Sequence, residues 1–299
     1  MPDDPAVSGE AGAPRGRDFS DKARAIAGLT TVVLVALIGG LFTYVYSERQ
    51  LSAQQPWHRA SSPTGQAVNF DGTSSLCSQQ PFCGDFETGD PTQWSFTPSE
   101  GVSSWTAVTS PVAQGTIAGQ FTTGPSTVTS RFEAAITTDK SGALPGQDWY
   151  YGWWTRFPSV NGEPQSWWNH GGDWNVFAQF NERNGSRWIA MGVDDTRIHT
   201  PYTNIFLGTY TGNHHIIQLQ YDQWIHFVIH IRWATDATGL VELWKDGTSV
   251  WTETNPTLPA DNPQGLLSIG YYTGAWPATN TVIHDGFCRA ATYTDAASC

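Results

Sequence analysis

Positive charge is scarce in this chain. Lys and Arg number 15 against 27 Asp and Glu over 299 residues, a formal net charge of −12. Acids and bases balance up to Arg59, so the whole acidic surplus lies beyond that point. Phosphate binding needs a basic stripe; its absence argues against nucleic acid as a partner and disfavours a heavily sulfated polymer. A neutral or lightly charged glycan stays open if positive charge is gathered locally. Long amphipathic helices are also missing. So is any E-x-D-x-x-E run that would put two carboxylates on one groove for sugar hydrolysis.

Cysteine is limited to Cys77, Cys83, Cys288 and Cys299. The spacings C-x5-C and C-x10-C are not those of zinc sites. Two structural disulfides are the simplest use, Cys77–Cys83 and Cys288–Cys299, because sequence neighbours close first, although three pairings are open. What the chain has in abundance is 15 Trp, 30 Gly and 18 Pro. Turns are frequent, and many of the Trp are needed to fill a large core. Surplus Trp at the surface would suit stacking on a sugar ring.

Residues 1–24 are polar and rich in Pro, Gly and Asp, as expected of a disordered cytoplasmic tail. Residues 25–46 carry no charge and as a helix reach about 33 Å, enough to span a bilayer. Arg15, Arg17, Lys22 and Arg24 precede the run. That bias sets the N-terminus in the cytoplasm and the remainder outside, as a single-pass membrane protein. The rival reading is a secreted protein with a cleaved signal peptide, but the run is long and no small-x-small site directly follows it. Residues 47–75 read as a linker, and residues 76–299 as one all-β domain.

Within that domain residues 224–233 alternate strictly. Ile225, Phe227, Ile229 and Ile231 fall on one face, and Trp224, His226, Val228, His230 and Arg232 on the other. Asp246-Gly247 then separates alternating residues 240–244 from 248–252, a two-residue hairpin signal. Further strands are predicted within 84–94, 126–138, 149–157, 174–181, 188–193, 268–272 and 281–287. Many antiparallel strands between Gly, Pro, Asn and Asp turns predict a jelly-roll sandwich of two antiparallel sheets, one of them concave.

The polar faces of these strands look alike. Arg131 and Glu133 project together, as do Gln179 and Asn181 with Asn175 further up. His226, His230 and Arg232 share a third face, and Tyr272 ends a fourth strand. Converging on one hollow, they would supply what β-elimination at a uronic acid needs. An amide or Arg neutralises the carboxylate, a His or Tyr takes the C5 proton, and a Tyr protonates the leaving oxygen. No cofactor is required. Trp168, in a loop rich in Gly, Pro and Asn, would form a sugar-stacking rim. Asp194 and Asp195 are the candidates for a structural Ca²⁺, without a calcium-loop pattern. Each group also has a plain structural use: Arg131–Glu133 as an ion pair, the amides as edge partners, the imidazoles as satisfied core groups.

The run W-x-x-F-V-x-H-I-x-W at 224–233, followed by G-x-V-E-L-W-x-D-G at 239–247, resembles the heparin-lyase-type polysaccharide lyases, a broad family that also holds glucuronan lyases. The resemblance covers residues 83–299 and is best over 223–287. It implies a concanavalin A-like jelly roll and, through residues 267–274, puts Tyr272 in the place of the family's catalytic Tyr. Ser268 and Thr273 stand where a Lys and an Arg are usual, and Asn181 stands in the position of the catalytic His. The polar faces and the resemblance together give a lyase, expected as a monomer, in which Tyr272, Gln179, Asn181, Arg131 and His230 act on a polysaccharide. Glu133, His226, Arg232, Trp168 and Asn175 would bind it. A domain that binds glycan without turning it over is the alternative.

Overall fold

The structure, a computed structural model, describes residues 76–161, 175–182, 188–194, 204–261 and 263–299. Residues 1–75, with the tail, anchor and linker, lie outside the described residues, as does Trp168. Among the described residues no helix is long and apolar enough to cross a membrane.

Fifteen strands are described, in chain order β1 (Phe82–Gly84), β2 (Ser99–Glu100), β3 (Ser103–Val108), β4 (Ala118–Thr123), β5 (Ser130–Ile136), β6 (Asp148–Arg156), β7 (Asn175–Glu182), β8 (Trp188–Asp194), β9 (Asn204–Thr209), β10 (Gly212–Gln218), β11 (Trp224–Arg232), β12 (Leu240–Lys245), β13 (Thr248–Thr254), β14 (Gly265–Thr273) and β15 (Asn280–Ala290). Two helical turns, α1 (Thr138–Ser141) and α2 (Tyr293–Ala296), complete the set. The strands form two sheets with every ladder antiparallel. The larger has the order β13-β12-β11-β6-β15-β4-β3, with β1 paired to β15, and the smaller runs β10-β9-β8-β7-β14-β5-β2.

Alternation places the core between the sheets. Ile225, Phe227, Ile229 and Ile231 of β11 have no exposed surface and pack with Trp153 of β6, Phe180 of β7 and Ile269 of β14. The β12–β13 hairpin turns through Asp246 (φ 48°) and Gly247 (φ 77°), the doubly positive backbone that this dipeptide predicts. Both expected disulfides are formed. Cys288–Cys299 lies on the outer side of the larger sheet with Val228, Tyr150, Trp244 and Tyr293, so the C-terminal segment covers part of that face. Trp154 Nε1 donates to the Cys299 carbonyl (3.2 Å), tying the segment down at its end.

Candidate active site on the outer face of the smaller sheet

The strands of the smaller sheet turn one side to the core and the other outward. Phe132, Ala134 and Ile136 of β5 and Leu267, Ile269 and Tyr271 of β14 point in. Arg131 and Glu133 therefore point out, opposite Tyr272 and Gly270 in the β5–β14 register. Gln179 of β7 lies beside Ser268 of β14.

These neighbours form one network. Glu133 is only 3% exposed, and its Oε1 accepts from Gln179 Nε2 (2.5 Å) and Ser268 Oγ (2.8 Å). Arg131 Nε lies 3.8 Å from Glu133 Oε2 and 3.6 Å from Glu100 Oε1 at the sheet edge. The Arg131 guanidinium also sits over the Tyr272 ring, 5.0 Å from its centre. Burial pushes the Glu133 carboxyl above the usual carboxylate range, opposed by its two hydrogen bonds and by Arg131. Burial likewise raises the Tyr272 phenol, while Arg131 pulls it down and Glu100 and Glu133 push it up.

Tyr272 is aimed by its neighbours along the strand. The β7–β14 ladder has a bulge between Ile269 and Tyr272, and bulges re-aim side chains. Gly270 there has φ 152°, and a Cβ on it would fall 2.4 Å from the Phe132 carbonyl, so a side chain has no room. Its carbonyl accepts from Nε2 of the fully buried His284 (3.0 Å), which reaches across the core from β15. A carbonyl only accepts, so Nε2 carries the proton and Nδ1 takes a hydrogen bond from the Thr155 hydroxyl (3.1 Å). Burial pushes the His284 imidazole down to about 4, keeping it neutral in this role. On either side of Tyr272, the Tyr271 and Thr273 hydroxyls donate to Asn175 Oδ1 (2.6 and 3.0 Å), and Asn280 Nδ2 donates to the Tyr271 oxygen (3.1 Å).

Arg131, Glu133, Gln179 and Tyr272 are thus brought together as the sequence pattern predicts, with Ser268 as an unforeseen member. Four expectations need correction. Asn175 is 1% exposed and points into the core, where it holds Tyr271 and Thr273; it does not face a substrate. His226, His230 and Arg232 lie on β11 of the other sheet, on that sheet's outer side. His226 is stacked on Trp154 (4.4 Å), and burial pushes its imidazole down to about 4. His230 is stacked on Tyr150 (4.1 Å), with Nδ1 2.7 Å from Glu242 Oε2 and Nε2 against Asp148 Oδ1. Arg232 is exposed at the end of β11. None of the three reaches Tyr272. The backbone of Asn181 pairs with Leu266 of β14 and Trp188 of β8; its side chain lies outside the described residues.

As for metals, the one described His, Cys, Asp and Glu cluster joins Cys77, Cys83 and Asp85, and both sulfurs are spent in the disulfide. The calcium candidates Asp194 and Asp195 fall outside the described side chains. Asp285, fully buried, takes the Ala113 and Gln114 amides on Oδ2 (2.7 and 3.0 Å), while Oδ1 has no partner among the described residues. Burial pushes this carboxyl up to about 7, and the nearby Glu87 charge adds to the rise.

Residues 86–287 match the family model described as polysaccharide lyase. The chain belongs to the polysaccharide lyase family. Among solved structures, the fungal endo-β-1,4-glucuronan lyase from Trichoderma reesei aligns with a TM-score of 0.53 at 20% identity, over 73% of this chain and 98% of that one. Cellulose induced protein Cip1 aligns at 0.48 and 17%, over 71% and 97%, and alginate lyase Aly36B at 0.46 and 10%, over 75% and 95%. No curated protein matches by sequence. For this polysaccharide lyase the glucuronan lyase likeness is one of fold.

Proposed function

We propose that this polysaccharide lyase cleaves a uronate-containing, lightly charged glycan by β-elimination on the outer face of the smaller sheet, with Tyr272 as base and acid in turn. The observation that carries this reading is the stack of Arg131 over Tyr272 above the buried Glu133–Gln179–Ser268 network. Arg131 neutralises the uronate carboxylate, which makes the C5 proton acidic. Tyr272 as phenolate takes that proton. The C5–H electron pair becomes the C4–C5 double bond, the C4–O4 bond breaks, and the new phenol returns the proton to O4. Burial disfavours the charged form of Glu133, which weakens its hold on the Arg131 charge and favours that charge meeting the substrate. Asn181 and Gln179 add amide hydrogen bonds to the carboxylate, and Trp168 remains the candidate stacking rim.

The reaction itself needs no metal or organic cofactor. A hard cation beside Asp285 would be structural, relieving the partnerless carboxylate oxygen and the nearby Glu87 charge. The reading includes a concanavalin A-like jelly roll acting as a monomer outside the cell, anchored through residues 25–46 with the N-terminus in the cytoplasm. The two disulfides support an oxidising compartment. The test is incubation of the protein with glucuronan, alginate and heparin-type chains, following the ultraviolet band of an unsaturated uronate end. Product from one of them, lost in Tyr272→Phe, is expected. Retention on a uronan column without product from any would favour the glycan-binding alternative.

A further inference from the structure

The bulge that re-aims β14 has a cost inside the sandwich. Ile269 pairs with Ala178 of β7, so unbroken pairing would set Tyr272 against Asn175; the bulge sets it against Val176 instead. The register with β7 skips Gly270, and a bulge takes backbone groups out of the ladder. The Gly270 carbonyl is met from the opposite sheet. His284 of β15 has no exposed surface and pairs in register with Thr155 of β6, beside the rings of Phe121 (5.6 Å) and Phe177 (6.2 Å). Apolar neighbours call for an apolar side chain, and a buried imidazole is costly unless its ring nitrogens are paired. Here both are: Nε2 donates to the Gly270 carbonyl (3.0 Å), and Nδ1 accepts from the Thr155 hydroxyl (3.1 Å).

We propose that His284 is a positioning residue for the elimination, which rests on the lyase reading above. By pinning the Gly270 carbonyl it holds the β14 bulge, and through the bulge it holds the Tyr272 phenol beside Arg131. Thr155 sets the tautomer: its hydroxyl occupies Nδ1 and leaves the ring proton on Nε2, aimed at the carbonyl. The tie crosses the core, because β6 and β15 belong to the larger sheet and β14 to the smaller. On its other side Gly270 is pressed against β5, where a Cβ would lie 2.4 Å from the Phe132 carbonyl and 2.7 Å from Glu133 Cα. The backbone that aims Tyr272 is thus fixed from two directions, by β5 and by the imidazole. An aliphatic side chain at 284 would leave the carbonyl unpaired in the core. Relaxing the bulge toward unbroken pairing would relieve that, and would move Tyr272 along β7 by one residue.

The experiment separates positioning from folding. His284→Leu should lower kcat on a uronan about 10²-fold, the cost of misplacing a reacting group by about 1 Å, while KM holds because Arg131 and Gln179 stay in place. His284→Gln, whose amide donates to Gly270 and accepts from Thr155, should recover most of that loss. Thr155→Val keeps the shape and should lower kcat about tenfold, the worth of one hydrogen bond. Tyrosine-labelled NMR reads the same point without turnover. The Tyr272 ring signal, assigned by its loss in Tyr272→Phe, should move in His284→Leu and Thr155→Val and return in His284→Gln. A folded His284→Leu with wild-type kcat and an unmoved ring signal overturns the positioning role, as does a fall in kcat that His284→Gln leaves unrepaired. If His284→Leu does not fold, Thr155→Val decides, and kcat and ring signal both unchanged overturn the role. Absence of product from every uronan in wild type overturns the lyase reading, and the ring signal then decides whether His284 holds Tyr272.

Discussion

The two sheets present outer faces made of the same kind of strand, oily residues inward and imidazoles, amides and aromatics outward, and they have met opposite fates. On the larger sheet the C-terminal segment and its disulfide lie over Val228, and the polar groups are consumed structurally. His230 is clamped between Glu242 and Asp148, and His226 is sealed against Trp154. On the smaller sheet the polar groups meet one another around Tyr272, where the half-buried Arg131 guanidinium lies over the ring and beside both Glu100 and Glu133. One face spends its polar groups on a covering segment and on isolated clamps, while the other gathers them into one network around a half-buried tyrosine.

The largest effect should come from the ring itself. Tyr272→Phe removes the group that moves the proton and should cut kcat about 10³-fold with the melting temperature preserved, measured as unsaturated product formed. Because Tyr272 starts as a phenol with a raised pKa, the rate should climb with pH as the phenolate fraction grows. Arg131→Ala should cost about 10²-fold and move that climb to higher pH, since it removes the cation that holds the phenol down. A pH profile that stays in place in Arg131→Ala would separate the two groups and count against the pairing.

On the other face the same kind of change should read differently. His230→Ala should leave turnover unchanged and lower stability by about 1–2 kcal/mol in denaturant unfolding, because two carboxylates and the Tyr150 ring lose their partner. A loss of turnover without a loss of stability would return His230 to the chemistry. A separate effect, on stability alone, concerns the structural cation proposed beside Asp285. Calcium at about 100 times its dissociation constant should stabilise the protein by about 2.7 kcal/mol over the chelated form. Asp285→Asn should abolish the difference in melting temperature; a response that survives the substitution puts the cation elsewhere.

Much of this was legible from spacing. Period 2 at Ile225, Phe227, Ile229 and Ile231 found the core face, Asp246-Gly247 found its hairpin, and proximity paired the cysteines. Alternation also put Arg131 with Glu133 correctly. It could not say which sheet a strand joins, because that depends on partners distant in sequence, and so His230 was grouped with Tyr272. Asn175 failed for a local reason. The β7–β8 pairing slips between Val176 and Ala178, so Phe177 and Ala178 both face the core and the phase reverses, turning Asn175 inward. The β9–β10 hairpin was missed because its turn, Tyr210-Thr211, lacks the Asn-Gly or Asp-Gly signal. Ser268 looked like a lost Lys; its hydroxyl instead completes the shell of Glu133.

Which face meets the sugar can be read without relying on turnover. Backbone amide signals of the Tyr272→Phe protein, followed by NMR while an oligouronate is added, should shift along β5, β7 and β14 and leave β6, β11 and β12 in place. Shifts confined to β6, β11 and β12 would contradict the account.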